Sequence, residues 1–130
     1  MLLDSNIIIY SAKREYGDLR IFLDENEYSV SSVSVIEVLG YHLLGDQERE
    51  YLIKFFDAAN VLSITNSIVK EAVRLRQIRR MGLGDAIVAA TALVNELSLA
   101  TRNVSDFAWI EGLELINPFD SPPEKSSPDS

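Results

Sequence analysis

Short apolar runs alternate along the chain with longer stretches whose apolar residues recur every three or four positions. That change of period, from strand-like to helix-like and back, predicts an α/β domain with a mainly parallel sheet. Leu2-Leu3 opens a short strand that ends at Asp4, and Tyr28-Ser29-Val30-Ser31 reads as the second strand. Between them Asn6 to Lys13 and Asp18 to Asp24 read as helices, parted by the turn signal Tyr16-Gly17-Asp18. Val33 to Leu43, with Val35, Ile36, Leu39 and Leu43 at helical spacing, predicts an amphipathic helix, and Asp46 to Ala58 predicts another beyond the break at Gly45. Val61-Leu62-Ser63-Ile64 follows as a strand, then a helix capped by Asn66 and running through Ile68, Ala72, Leu75 and Ile78. From Asp85 to about Leu97 the pattern is apolar nearly all round, which predicts a helix buried between the sheet and another layer. Ser98-Leu99-Ala100-Thr101 and Leu113-Glu114-Leu115-Ile116 bring the strands to five.

A length of 130 residues suits one domain with one core, and 47% hydrophobic with 25% charged residues suits a globular chain. We place the domain at 1–119. The stretch after Phe119 offers nothing aliphatic or aromatic to bury and holds three of the four prolines, so 120–130 is expected to be a disordered tail. No run reaches the roughly 18 uninterrupted apolar residues of a membrane span, and the start lacks the basic and apolar blocks of a signal peptide. The expected compartment is the cytoplasm. Zero cysteines exclude disulfides, thiolate metal sites and Cys nucleophiles. Twelve basic against twenty acidic residues give a net charge of −8, so any polyanion must be met locally. Lys70, Arg74, Arg76, Arg79 and Arg80 are close enough in sequence to make such a patch, although a solvated helix face explains them as well.

In an open parallel sheet ligands gather beyond the carboxyl ends of the strands. Acids stand at several of these places: Asp4 after the first strand, Glu37 in the helix after the second, Asp85 at the start of the buried helix, and Asp106 shortly after the fourth strand. Taken singly, each has a plainer role as a helix cap or turn residue, and Ser34-Val35-Ile36-Glu37 has capping-box spacing. Taken together, convergent carboxylates repel one another, and Mg²⁺ or Mn²⁺ is the usual neutraliser where Cys and His ligands are missing. Such a site can hydrolyse a phosphodiester by activating water and polarising a phosphoryl oxygen. The single His42 fits a helix surface better than a nucleophile–base pair, and Phe107 and Trp109 fit the edge of the core better than a base-stacking platform.

Four segments carry a resemblance: Leu3-Asp4-Ser5-Asn6-Ile7-Ile8-Ile9, Ser31-Ser32-Val33-Ser34-Val35-Ile36-Glu37, Gly84-Asp85-Ala86-Ile87-Val88-Ala89-Ala90-Thr91-Ala92, and Thr101-Arg102-Asn103-Val104-Ser105-Asp106-Phe107. In this order they resemble the PIN-domain ribonucleases, and the closing Gly112-Leu113-Glu114-Leu115-Ile116-Asn117-Pro118-Phe119 is similar to the ending of VapC toxins. The resemblance covers residues 1–119. It implies a PIN-like three-layer fold and a metal-dependent endoribonuclease of a type II toxin–antitoxin pair. In it Asp4 and Asp85 are the primary metal ligands, Glu37 and Asp106 complete the site, and Ser5, Asn6, Thr101 and Asn103 support it. Ser5 stands where Thr is commoner, and its hydroxyl keeps the hydrogen bond. The resemblance also implies a homodimer and a small VapB-like antitoxin that enters the active-site groove. Arg76, Arg80 and Arg102 are the candidates for contact with the RNA backbone. Two other readings remain open on sequence: a non-catalytic PIN-like binding module, and a receiver-like Mg²⁺-binding signalling domain, the latter opposed by Ile64-Thr65 where a phosphoacceptor Asp would end the third strand.

Overall fold

The computed structural model describes residues 1–120. The expected disordered tail lies outside the described residues from position 121 on. Element order is β1 (Leu2–Leu3), α1 (Ser5–Ser11), a 3₁₀ turn (Arg14–Tyr16), α2 (Gly17–Asp24), β2 (Ser29–Ser31), α3 (Ser32–Leu39), α4 (Asp46–Ala58) and β3 (Asn60–Leu62). The second half runs α5 (Asn66–Ile78), α6 (Leu83–Val94), β4 (Leu99–Ala100), α7 (Val104–Phe107) and β5 (Leu115–Ile116). All five strands are parallel, in the order β3-β2-β1-β4-β5.

Side chains alternate across the strands, so successive residues feed opposite faces of the sheet. Leu2 and Leu99, which pair in register, join Ile68, Leu75, Val88 and Phe107 beneath α5, α6 and α7. Leu3, Ala100 and Val30 join Ile7, Ile8, Leu23, Val38 and Leu52 beneath α1 to α4. Three layers result, as expected. The order also removes the receiver-like alternative, whose sheet runs 2-1-3-4-5. Among the described residues no helix is long and apolar enough to cross a membrane.

Several element boundaries differ from expectation. The helix expected to reach Leu43 stops at Leu39 with Gly40 as its C-cap; Leu43, whose spacing fitted the helix, is 69% exposed, while Leu44 turns back into the core. Glycine favours such an end because it is a poor helix former. The cap of α5 is Thr65 rather than Asn66, since the Thr65 hydroxyl accepts the Ile68 N–H at 3.3 Å. The strand expected at Val61–Ile64 lies at Asn60–Leu62, drawn into register by Ser29, Val30 and Ser31 of β2. The buried helix begins two residues before Asp85, which therefore sits inside the first turn, and it ends at Val94, before Glu96 takes a left-handed φ of 57°. Short α7 was not expected.

Candidate functional site

β1 is flanked by β2 on one side and β4 on the other, so the direction of winding reverses between β1 and β4. A crevice opens beyond the carboxyl ends of two strands at such a switch point. Asp4 leaves β1 there and Thr101 leaves β4. The Asp4 N–H donates to Ala100 O at 2.9 Å, and the Thr101 hydroxyl donates to Asp4 Oδ2 at 2.9 Å. The same Thr101 oxygen accepts the Asn103 N–H at 3.0 Å, which shapes the turn into α7. Asp4 is 5% exposed, and although it precedes α1 its side chain makes no cap hydrogen bond. Burial pushes its carboxyl up to about 6, the charges of Asp85 and Glu37 push the same way, and the Thr101 hydrogen bond opposes them.

Glu37 does not complete a capping box. The cap of α3 is Ser31, whose hydroxyl accepts the Val33 N–H at 3.2 Å, and Ser34 lies buried inside the helix. Ser5 Oγ lies 2.8 Å from Ser34 Oγ and 2.7 Å from Glu37 Oε1. A hydroxyl has one proton to give. Given to the Glu37 carboxylate, the Ser5 proton leaves Ser34 as the donor to Ser5, and a relay of two hydroxyls then holds the acid from α1. The Ser5 hydroxyl is thus hydrogen-bonded to side chains of α3.

Asp85, half-buried in the first turn of α6, has its carboxyl raised by burial and by the charges of Glu37 and Asp106. Asp106 is exposed on α7. Asp4 thus feels the charges of Asp85 and Glu37, and Asp85 feels those of Glu37 and Asp106. The ion pairs among the described residues are Lys13–Glu48 and Arg74–Glu71, so no Lys or Arg among them neutralises these acids at contact distance. In the conformation described, no three acids among these residues are gathered tightly enough to enclose an ion.

Asn6 is exposed in the first turn of α1, and Asn103 acts through its backbone rather than by a side-chain cap. Arg102 lies over an aromatic cluster: its guanidinium carbon is 4.4 Å from the ring centroid of Phe119, 5.3 Å from Tyr10 and 5.9 Å from Tyr16. Arg76 donates to Met81 O at 3.2 Å, and with Arg79 and Arg80 it lines an open cavity of about 380 Å³ where α5 hands over to α6. Phe107 is buried, and Trp109 packs on the core and donates its indole N–H to Asp106 O at 3.0 Å, so both close the core edge as expected. Sequence reasoning missed the Ser34 link, although its spacing to Glu37 was visible and pointed to a cap. It also missed the cluster of Tyr10, Tyr16 and Phe119, in which Phe119 comes from the far end of the domain.

A family profile described as "PIN domain" matches residues 1–111. The chain is 34% identical over 99 residues to Ribonuclease VapC10 of Mycobacterium tuberculosis, an alignment spanning 72% of this chain and 71% of that protein. Its fold matches a chain of a toxin–antitoxin complex from Klebsiella pneumoniae with a TM-score of 0.71 and 29% identity, covering 92% of this chain and 98% of that one. It also matches a chain of the DNA-bound VapBC of Salmonella typhimurium, with a TM-score of 0.79 over 90% of this chain and 96% of that one; at 20% identity that likeness concerns the fold.

Proposed function

The chain belongs to the PIN-domain family, and from that premise we propose that it is a metal-dependent endoribonuclease, the toxin of a type II toxin–antitoxin pair. The observation that carries this reading is the buried Asp4, tied to Thr101 and facing the charges of Asp85 and Glu37 with no cationic side chain of the described residues to neutralise them. An all-oxygen donor set of this kind fits Mg²⁺ or Mn²⁺ and does not fit a soft metal. Asp4 and Asp85 would hold the ion, and Glu37 and Asp106 would complete the site directly or through water. Bound there, a divalent cation supplies Lewis acidity to an attacking water and to the scissile phosphodiester.

The rest is the work of the chain. Thr101 fixes the rotamer of Asp4, and Ser5, backed by Ser34, fixes Glu37. Asn6 and Asn103 stand at the rim. Arg76 and Arg80 are assigned to backbone phosphates beside α6, and Arg102 to those beside β4. A water oxygen bonds to phosphorus as the bridging P–O bond breaks, and the departing oxygen leaves with a proton. Partners follow from the same reading: an RNA substrate, a small VapB-like antitoxin, and a second copy of the chain. The toxin–antitoxin complexes among the structural relatives support the antitoxin assignment.

RNA cleavage by the purified protein, with Mg²⁺ or Mn²⁺ and with chelator, tests the proposal. Asp4→Asn and Asp85→Asn each keep side-chain size and remove a ligand charge, so cleavage should fall by more than about 100-fold, beyond the usual effect of losing an outer-shell partner, while circular dichroism stays unchanged. Full activity in both variants sinks the assignment. A protein that binds RNA or a partner but never cleaves is the binding-module alternative.

A further inference from the structure

Gly84 is the second residue of α6, immediately before Asp85. Nothing about its backbone calls for glycine: among the described residues Gly112 is the glycine with a positive φ, and Gly84 follows the helix. Alanine is the better helix former. The reason for glycine is space. A Cβ built on Gly84 would overlap Glu37 Oε2 and lie 2.8 Å from Glu37 Cδ and 3.1 Å from Oε1. Glu37 is exposed and its carboxylate is the far end of a flexible side chain, so it can swing clear, but only by giving up the Ser5 hydroxyl that Oε1 accepts at 2.7 Å, a hydroxyl backed in turn by the fully buried Ser34. Gly82, the N-cap of the same helix, is different, since a Cβ there meets nothing within 4 Å.

We propose that Gly84 is a positioning residue: the side chain it lacks is the space in which the Glu37 carboxylate is held against the first turn of α6, one residue from Asp85. The proposal rests on the metal-site reading above and deepens it. A methyl group at position 84 pushes the carboxylate off Ser5 and changes its separation from Asp85, so the two acids no longer present themselves together to a cation. The fold need not suffer.

Two measurements on the full chain test this. In chelator, thermal unfolding is followed for the wild type, Gly84→Ala, Glu37→Ala and the double variant. Gly84→Ala should raise the midpoint more in the Glu37→Ala background than in the wild type, because the helix then gains alanine without a collision. Equal shifts in both backgrounds overturn the contact and the proposal with it. Calorimetric titration with Mn²⁺ then reads the site itself: Gly84→Ala should bind about tenfold more weakly or worse, whereas Gly82→Ala should match the wild type. Unchanged affinity in Gly84→Ala, in a protein whose wild type binds Mn²⁺, overturns the positioning role alone. A wild type that binds no Mn²⁺ overturns the metal reading and the positioning role together, and the unfolding cycle then still reports whether the contact exists.

Discussion

Asp4 is a carboxylate in a place that disfavours its charge. Its folded-state value of about 6 exceeds the 3.8 expected of a free side chain, and burial is the main cause. An acid whose folded value is raised binds its proton more tightly in the native state, so its contribution to stability is most favourable below the unfolded value and is lost as pH rises through the folded one. In chelator the protein should therefore lose about 3 kcal/mol between roughly pH 4 and pH 6 through this group, with Asp85 acting in the same direction. Denaturant melts across that range check it; a rise in stability over the same window contradicts it. Thr101→Val tests the support. Valine keeps the shape, removes the hydroxyl from Asp4 Oδ2 and leaves the Asn103 N–H without its acceptor. The cost should be about 1–3 kcal/mol by urea unfolding, and cleavage should fall because Asp4 is no longer held.

At the level of elements, α6 matters most because it presents Asp85 from a helix packed tightly by small residues. Ala86, Ala89, Ala90 and Ala92 are all fully buried, and the helix packs on both α5 and α3. Small side chains permit that close approach, and the same closeness leaves no room for larger ones. Ala89→Leu should destabilise the protein by about 1–3 kcal/mol through overpacking, and it should lower cleavage further than the loss of folded protein explains, since α6 must tilt or slide to take the larger side chain. Urea unfolding paired with activity per folded molecule measures both effects. The hydroxyl relay from Ser34 through Ser5 to Glu37 spans α3 and α1 in the same way. The site is thus a product of how helices seat on the sheet.

For the molecule as a whole, a net charge of −8 opposes binding of any polyanion at long range. If RNA is the substrate as proposed, its affinity comes from a few local cations, with Arg76 and Arg80 at the α5–α6 junction as the assigned pair and Arg102 beside β4. Three phosphate contacts on single-stranded RNA correspond to a slope of about −2 in log affinity against log salt. Binding to the non-cleaving Asp85→Asn protein should show that shallow dependence, and Arg76→Ala or Arg80→Ala should each flatten it by about 0.7. An unchanged slope in both places the RNA elsewhere.

The alternation of apolar periods made the three-layer plan legible, because strand and helix patterns are local and their order limits the ways a parallel sheet can close. The acids at Asp4, Asp85 and Asp106 were legible for a related reason, since each follows a strand or lies in the opening turn of a helix, where such a fold places its ligands, and Glu37 sits further along the helix that follows the second strand. Helix ends were less so. Gly40, Thr65 and Val94 are set by which neighbour buries or caps the chain, and a periodic pattern such as that reaching Leu43 continues past a helix without knowing it has ended. Least accessible were contacts between residues distant in the chain. Thr101 on Asp4, Ser34 behind Ser5, and the bare edge of Gly84 against Glu37 arise where separate elements meet; no local pattern encodes that meeting, because each partner alone has an adequate role as cap, turn or helix residue. Folding assigns the other role by bringing the second partner within reach.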